Sequence, residues 1–165
     1  RMTPIRVVCN NTLTLSLSQN ADKMVTVNHR KAFDPAEVKE HMGIANEKMQ
    51  EYKSMAAFLG SKKATGDNVI QYFNEVFGSP AKEKVEGVLP FTTRNAKLAH
   101  ENLDVQPGAE FAQGTWWTAF NSVTNMTDHL QGRSNDGRLV SSWYGRNRKV
   151  KLNALDKALE YAEAA

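Results

Sequence analysis

Cysteine is almost missing from this chain: Cys9 is the only one among 165 residues. An internal disulfide is therefore excluded, and the fold is expected to hold by packing in a reducing compartment. No apolar run reaches the roughly 18 residues that a membrane span requires, so no membrane partner is expected. Nothing at the start reads as a charged-then-apolar secretion signal, which leads to the expectation of a cytoplasmic protein. Phosphate cradles are missing as well: there is neither Gly-x4-Gly-Lys-Ser/Thr nor Gly-x-Gly-x-x-Gly. The histidines, His29, His41, His100 and His129, show no His-x3-His or His-Glu-x-x-His spacing, and no CxxC pair exists. No metal and no cofactor is expected from such a set. Asp128 and His129 are adjacent, so on a helix their side chains diverge and form no oriented pair by themselves. Cys9 has no base signalled nearby and reads as a buried structural thiol. These absences leave no local catalytic motif, and the reading leans away from an enzyme.

What is present is an ordinary globular balance, 41% hydrophobic and 24% charged. That suits one folded domain over 1–165, long enough to bury roughly 70% of its unfolded surface. The net charge of +3 is mild, but its distribution is uneven. From 133 to 151 six basic residues (Arg133, Arg138, Arg146, Arg148, Lys149, Lys151) face one acid, Asp136. This local +5 leaves about −2 for everything else, and a cluster is what a polyanionic partner attracts.

The first residues read as strands. The stretch 5–9 is β-branched, 13–17 alternates Leu13, Leu15 and Leu17 with polar residues, and 23–27 (KMVTV) follows a turn at Ala21-Asp22. Asn10 or Asn11 would also cap a helix, so 13–17 carries two signals. A small antiparallel sheet is expected there. Asp34-Pro35 then starts a helix, with Asp at the cap and Pro at the first position. Its apolar residues fall at Val38, Met42, Ala45, Met49, Tyr52, Ala56 and Leu59, alternating steps of four and three. This is a heptad seam of three repeats. It serves either as one long amphipathic helix on its own domain or, through Val38, Met42, Met49, Tyr52 and Leu59, as the seam of a homo-oligomer.

A second helix follows Asp67, with Val69, Tyr72, Phe73, Val76 and Phe77 on one face and a stop at Gly78-Ser79-Pro80. The segment 81–90 reads as an exposed connection. Thr92 or Thr93 caps a third helix to about Leu103. A strong helix is expected over 114–130, striped by Trp116, Phe120, Val123 and Leu130 with Trp117 beside it. Adjacent tryptophans point about 100° apart, so both cannot enter one core fully. The region 132–137 reads as a polar loop, and the last helix as 150–164 with Leu152, Leu155, Leu159 and Ala162 inward. The expected class is α+β: a mostly helical single domain with a small N-terminal antiparallel sheet and a long amphipathic helix.

Two stretches, RVVCNNTL near the start and GTWWTAFNSVTNMTDH…GR…SSWYGRNRKVKLNALDKALEYA at the end, together resemble the phage- and plasmid-borne family called domain of unknown function 932. The resemblance covers both ends and is loose in the middle. It implies that the stretch after RVVC is a helix, which moves 13–17 away from the strand reading. It also implies phage or plasmid biology in a bacterial cytoplasm. Members usually carry sequence before the RVVC run, so the chain is expected to be the C-terminal part of a longer protein.

Single-strand binders need cations along a groove and flat rings for bases. Arg138, Arg146, Arg148 and Lys149 supply the first, Trp143 and Tyr144 the second. These six are the candidate nucleic-acid-binding residues, with single-stranded DNA the favoured partner. Against this stands the plainer reading, that Trp143 and Tyr144 are core plugs and the cations a solvated loop. An enzyme assembled from scattered acids and His129 has no acid cluster to support it.

Overall fold

The computed structural model describes residues 35–78, 91–131 and 134–165. Helix α1 spans Pro35–Ser61, α2 Asp67–Phe77 and α3 Arg94–Glu101. A 3-10 turn at Ala109–Phe111 precedes α4, Trp116–Asn125, which passes directly into a π-helical turn at Met126–Leu130. Two helices close the chain, α5 at Asn135–Tyr144 and α6 at Arg146–Ala164. None of the helices in the described residues is long and apolar enough to cross a membrane.

The described residues contain no strand, and this corrects the expected α+β class: what is described is helical, with no N-terminal antiparallel sheet in it. The stretches 5–9, 13–17 and 23–27 on which the sheet was read lie outside the described residues. The described core is closed by three- and four-residue periodicity alone, helix stripe on helix stripe. Among the described residues, extended pairing is limited to one bridge between Lys63 and Thr115. There Ala64 N donates to Gly114 O at 2.9 Å and Trp116 N to Lys62 O at 3.1 Å, tying the end of α1 to the start of α4.

Helix starts follow local chemistry. Thr93 Oγ1 accepts from Ala96 N and Thr115 Oγ1 from Thr118 N, so α3 and α4 each begin with a capped donor. Asp67 is the first residue of α2 rather than its cap. Gly66 takes that place at φ 63°, a left-handed conformation that a residue with a Cβ resists.

The core is a meeting of aromatics and alanines. Trp116, Tyr72, Phe73 and Phe120 are buried from α4 and α2, while Ala154, Ala158 and Ala162 line the inner side of α6. Small residues at four-residue spacing let α6 lie close to the rings. Trp116 stacks on Tyr161 at 5.0 Å between centroids and meets Tyr72 edge-on at 5.4 Å. The Tyr72 hydroxyl donates to Ala154 O at 3.0 Å, which satisfies it in the interior. Trp117, beside the stripe, is half-buried and meets Tyr52 of α1 edge-on. The segment after α3 is held by amides: Gln106 Nε2 donates to Thr118 O at 2.9 Å and Asn102 Nδ2 to Ser122 O at 3.3 Å.

Three departures from the sequence expectation lie towards the C-terminus. Leu130, expected on the buried stripe of α4, is 62% exposed. The π-helical turn places one extra residue in the turn and rotates the stripe away from the core. Where a polar loop was expected over 132–137, a helix begins at Asn135: Ser134 caps it, its Oγ accepting from Gly137 N at 3.1 Å. Helix α6 likewise begins at Arg146, ahead of the expected start near residue 150.

Candidate functional site

The basic segment folds into a corner, α5 turning into α6 at Gly145. A Cβ on Gly145 would lie 2.9 Å from Ser141 Cα, so the corner closes this tightly only around glycine. Gly145 N donates to Ser141 O at 3.0 Å. Helix α6 has a glycine N-cap and no acid in its first turn, and its cap comes from the preceding helix: Ser141 Oγ accepts from Asn147 N at 3.2 Å. Asn147 Nδ2 in turn donates to Thr127 O at 2.8 Å, which fastens the corner to the π-helical turn.

Beneath the corner sits a buried ion pair. Lys151 Nζ donates to Asp128 Oδ1 at 2.7 Å, with both side chains fully buried. Ser142 Oγ donates to the same oxygen at 2.5 Å. Asp128 Oδ2 is buried and has no hydrogen-bond partner. The pair joins the π-helical turn to α6, and Ser142 brings α5 to the same point. The local charge of +5 therefore overstates the surface, because Lys151 is neutralised inside.

The corner faces a cavity of about 320 Å³. Arg138 of α5 and Arg146 of α6 line it together with Asn95 of α3, Gln131, Ser141 and Asn147, while Phe77 and Val150 form apolar wall. No acid appears among its described lining residues. Two guanidiniums and several amide or hydroxyl groups make an acceptor-seeking, anion-seeking surface.

The structure thus brings Arg138 and Arg146 together. Tyr144 is 61% exposed on the last turn of α5, beside the corner. Lys149 is exposed three residues beyond Arg146, on the same side of α6 by helical spacing. Arg148 is half-buried and lies on another side of α6, away from the cavity. Trp143 lies on α5, but its side chain is outside the described residues, as are Arg133 and Cys9.

Of the proposed oligomer seam, Leu59 is fully buried and Tyr52 packs against the core of its own chain. Met49 is half-buried, and the side chains of Val38 and Met42 are outside the described residues. His129 is exposed while its neighbour Asp128 is buried, so the two face opposite ways. His100 packs against Phe91 at 5.1 Å between ring centroids. Among the described residues no group of three or more His, Cys, Asp or Glu side chains gathers as a metal site.

Sequence reading missed Asn95, Gln131, Ser141 and Asn147 as cavity residues and the Asp128–Lys151 pair. Asn95 and Gln131 carry no spacing signal, since they meet the corner only through the tertiary fold. The pair had a weak one: Asp128 follows an apolar stripe and Lys151 precedes Leu152 and Leu155, both positions where a charge is bound for the interior.

The family described as "Domain of unknown function (DUF932)" matches residues 1–157. No curated protein matches the chain. No solved structure matches it.

Proposed function

The chain belongs to the DUF932 family, and on that premise we propose that it is an accessory protein of phage or plasmid type that binds single-stranded nucleic acid. One observation carries the reading: Arg138 and Arg146 line one cavity that has no acid among its described lining, and exposed Tyr144 and Lys149 flank it. Arginine and lysine at the corner take the phosphates, and Tyr144 offers a ring on which a base stacks. Such binding reads the backbone rather than the sequence of bases, so it is sequence-tolerant and weakens with salt. The proposed setting is the bacterial cytoplasm.

The test is fluorescence anisotropy of a labelled single strand, titrated at low and moderate salt. Saturable binding is expected, with a log–log salt slope that flattens by roughly 0.7 for each phosphate contact removed, as in Arg138→Ala and Arg146→Ala. A slope that stays the same in both variants removes the reading. The alternative of a homo-oligomer built through α1 has no comparable observation behind it, since Tyr52 and Leu59 are taken up by the chain's own core.

A further inference from the structure

We infer that a second copy of this chain docks on the α5–α6 corner through Phe111 and the acidic segment between α3 and α4. The inference does not rest on the nucleic-acid reading. A strand and a second copy would use the same corner and exclude each other there.

The docking segment has an unusual surface. Phe111 is 87% exposed and Val105 77%, more than any other large apolar side chain among the described residues. Leaving such groups in water forgoes the gain that their burial brings. The segment that carries them is pinned rather than loose. Gln106 Nε2 donates to Thr118 O and Asn102 Nδ2 to Ser122 O, and both amides are buried. Backbone bonds from Ala109 N to Gln106 O and from Phe111 N to Gly108 O set its turns. From 101 to 111 there are three acids and no lysine or arginine. Glu101 faces Lys97 at 3.6 Å, but Asp104 and Glu110 are exposed and form no ion pair among the described residues.

The corner offers the converse. Arg146 and Lys149 are exposed and form no ion pair among the described residues. Val140 and Tyr144, four residues apart on α5, are 62% and 61% exposed on one side of that helix. Each group on one face has a counterpart on the other. The carboxylates of Asp104 and Glu110 suit the two cations, and the Phe111 ring suits the Tyr144 ring and the side chain of Val140. Opposite charges of this kind set the register of a contact and speed its formation.

Phe111 does not reach the corner of its own chain. It precedes α4, whose start is tied to the neighbouring Ala112 O by the Thr115 hydroxyl. The corner lies past the other end, where Asn147 bonds Thr127 and Gln131 lines the cavity. Residues 116–130, α4 and its π-helical turn, stand between, about 20 Å at 1.5 Å per residue. The contact is therefore between chains and joins two different faces. Each copy then keeps one face open for the next, which is head-to-tail assembly.

The experiment is sedimentation velocity of the full chain over a wide range of concentration, at low and moderate salt. The average mass is expected to rise with concentration past that of a dimer, and to rise less at higher salt. Phe111→Ser removes one face and Arg146→Glu/Lys149→Glu the other, and each variant alone is expected to stay at the mass of one chain. Mixed, the two keep one intact face each, so they are expected to pair and stop at a dimer. A monomer at every concentration overturns the inference, whatever a labelled strand shows by anisotropy. So does assembly that persists in Phe111→Ser, or a mixture that fails to pair. A lowered melting temperature in Phe111→Ser would mean that its own chain covers the ring, and overturns the inference too. Assembly as expected from a chain that binds no strand leaves the inference standing and overturns the nucleic-acid reading.

Discussion

Lys151 and Asp128, 23 residues apart in sequence, form a 2.7 Å ion pair with no exposure to solvent. The pair is a joint between the π-helical turn and α6, and three further bonds hold the same corner: Ser142 bonds Asp128, Asn147 bonds Thr127, and Ser141 caps α6. Desolvating two charges costs more than a salt bridge usually returns, so its role lies in fixing a geometry rather than in adding stability.

The first prediction follows from that imbalance. Asp128→Ala takes the carboxylate away from a buried ammonium, and Lys151→Ala takes the ammonium away from a buried carboxylate. Each is expected to cost about 3–5 kcal/mol. The double variant Asp128→Leu/Lys151→Met removes both charges and is expected to recover most of the loss. Urea denaturation midpoints for the four proteins decide it; single variants that cost under about 1 kcal/mol would show that the pair is not isolated from water.

Two glycines are predicted to respond with opposite sign. Gly145→Ala drives a methyl against the Ser141 backbone, where nothing can move aside without opening the corner. Overpacking of this kind costs about 1–3 kcal/mol, and the displaced Arg146 should weaken ligand binding as well. Gly60 lies in the last turn of α1, and a methyl group added there would meet nothing within 4 Å. Gly60→Ala is expected to add about 0.5–1 kcal/mol, because alanine has less chain entropy to lose in a helix. Thermal melting of the two variants checks the pair of signs.

How far the sequence spoke depended on how local each signal was. Val69, Tyr72, Phe73 and Val76 announced the buried face of α2 because their spacing alone defines it. Thr93 announced a helix start because a cap acts within three residues. Leu130 misled because the π-helical turn, which periodicity assumes absent, changes the register after Asn125. Helix α5 was hidden because Asn135, Asp136 and Gly137 carry loop chemistry, and the cap at Ser134 together with the bond from Ser142 to Asp128 favours a helix there. The cavity was legible only in its two arginines; Asn95 comes from α3, and no pattern in one dimension links it to Arg146. Lys151 counted as one more surface cation until Asp128 was seen to neutralise it.

Stability is predicted to fall at alkaline pH through Tyr72. Burial pushes its hydroxyl well above the usual value of 10.0. In the unfolded chain the same group ionises near 10.0, so above that pH the unfolded state gains by losing a proton that the folded state keeps. The contribution is intact below about pH 10 and is lost as pH rises from there, by roughly 1.4 kcal/mol per unit. Tyr72→Phe gives up the bond to Ala154 O, at about 1 kcal/mol near neutral pH, but should show a shallower alkaline decline. Denaturant midpoints at about pH 8, 10 and 11 compare the slopes. Parallel declines would place the titration elsewhere, Tyr161 being the next group to examine because burial and Glu75 raise it too.

The final prediction separates two lysines that look alike in sequence. Lys149 is exposed beside Arg146, whereas Lys151 is sealed against Asp128. If the corner binds a nucleic-acid backbone, Lys149→Ala should flatten the salt dependence of binding by roughly 0.7 in log–log slope, the release of one condensed counterion. The double variant Asp128→Leu/Lys151→Met removes a lysine as well, yet from a position that releases no counterion, so its slope should match the unmodified protein. Tyr144→Ala should leave the slope unchanged and weaken affinity by roughly 5- to 150-fold, the range of one lost stacked base at about 1–3 kcal/mol. The three variants therefore give three signatures: a flatter slope with an affinity loss that is greatest at low salt, neither, and affinity loss without a change of slope. A slope change in the double variant would mean that Lys151 reaches the ligand and that the buried pair opens on binding. An identical response from Lys149→Ala and Tyr144→Ala would mean that neither touches the strand and that the corner only stands near it.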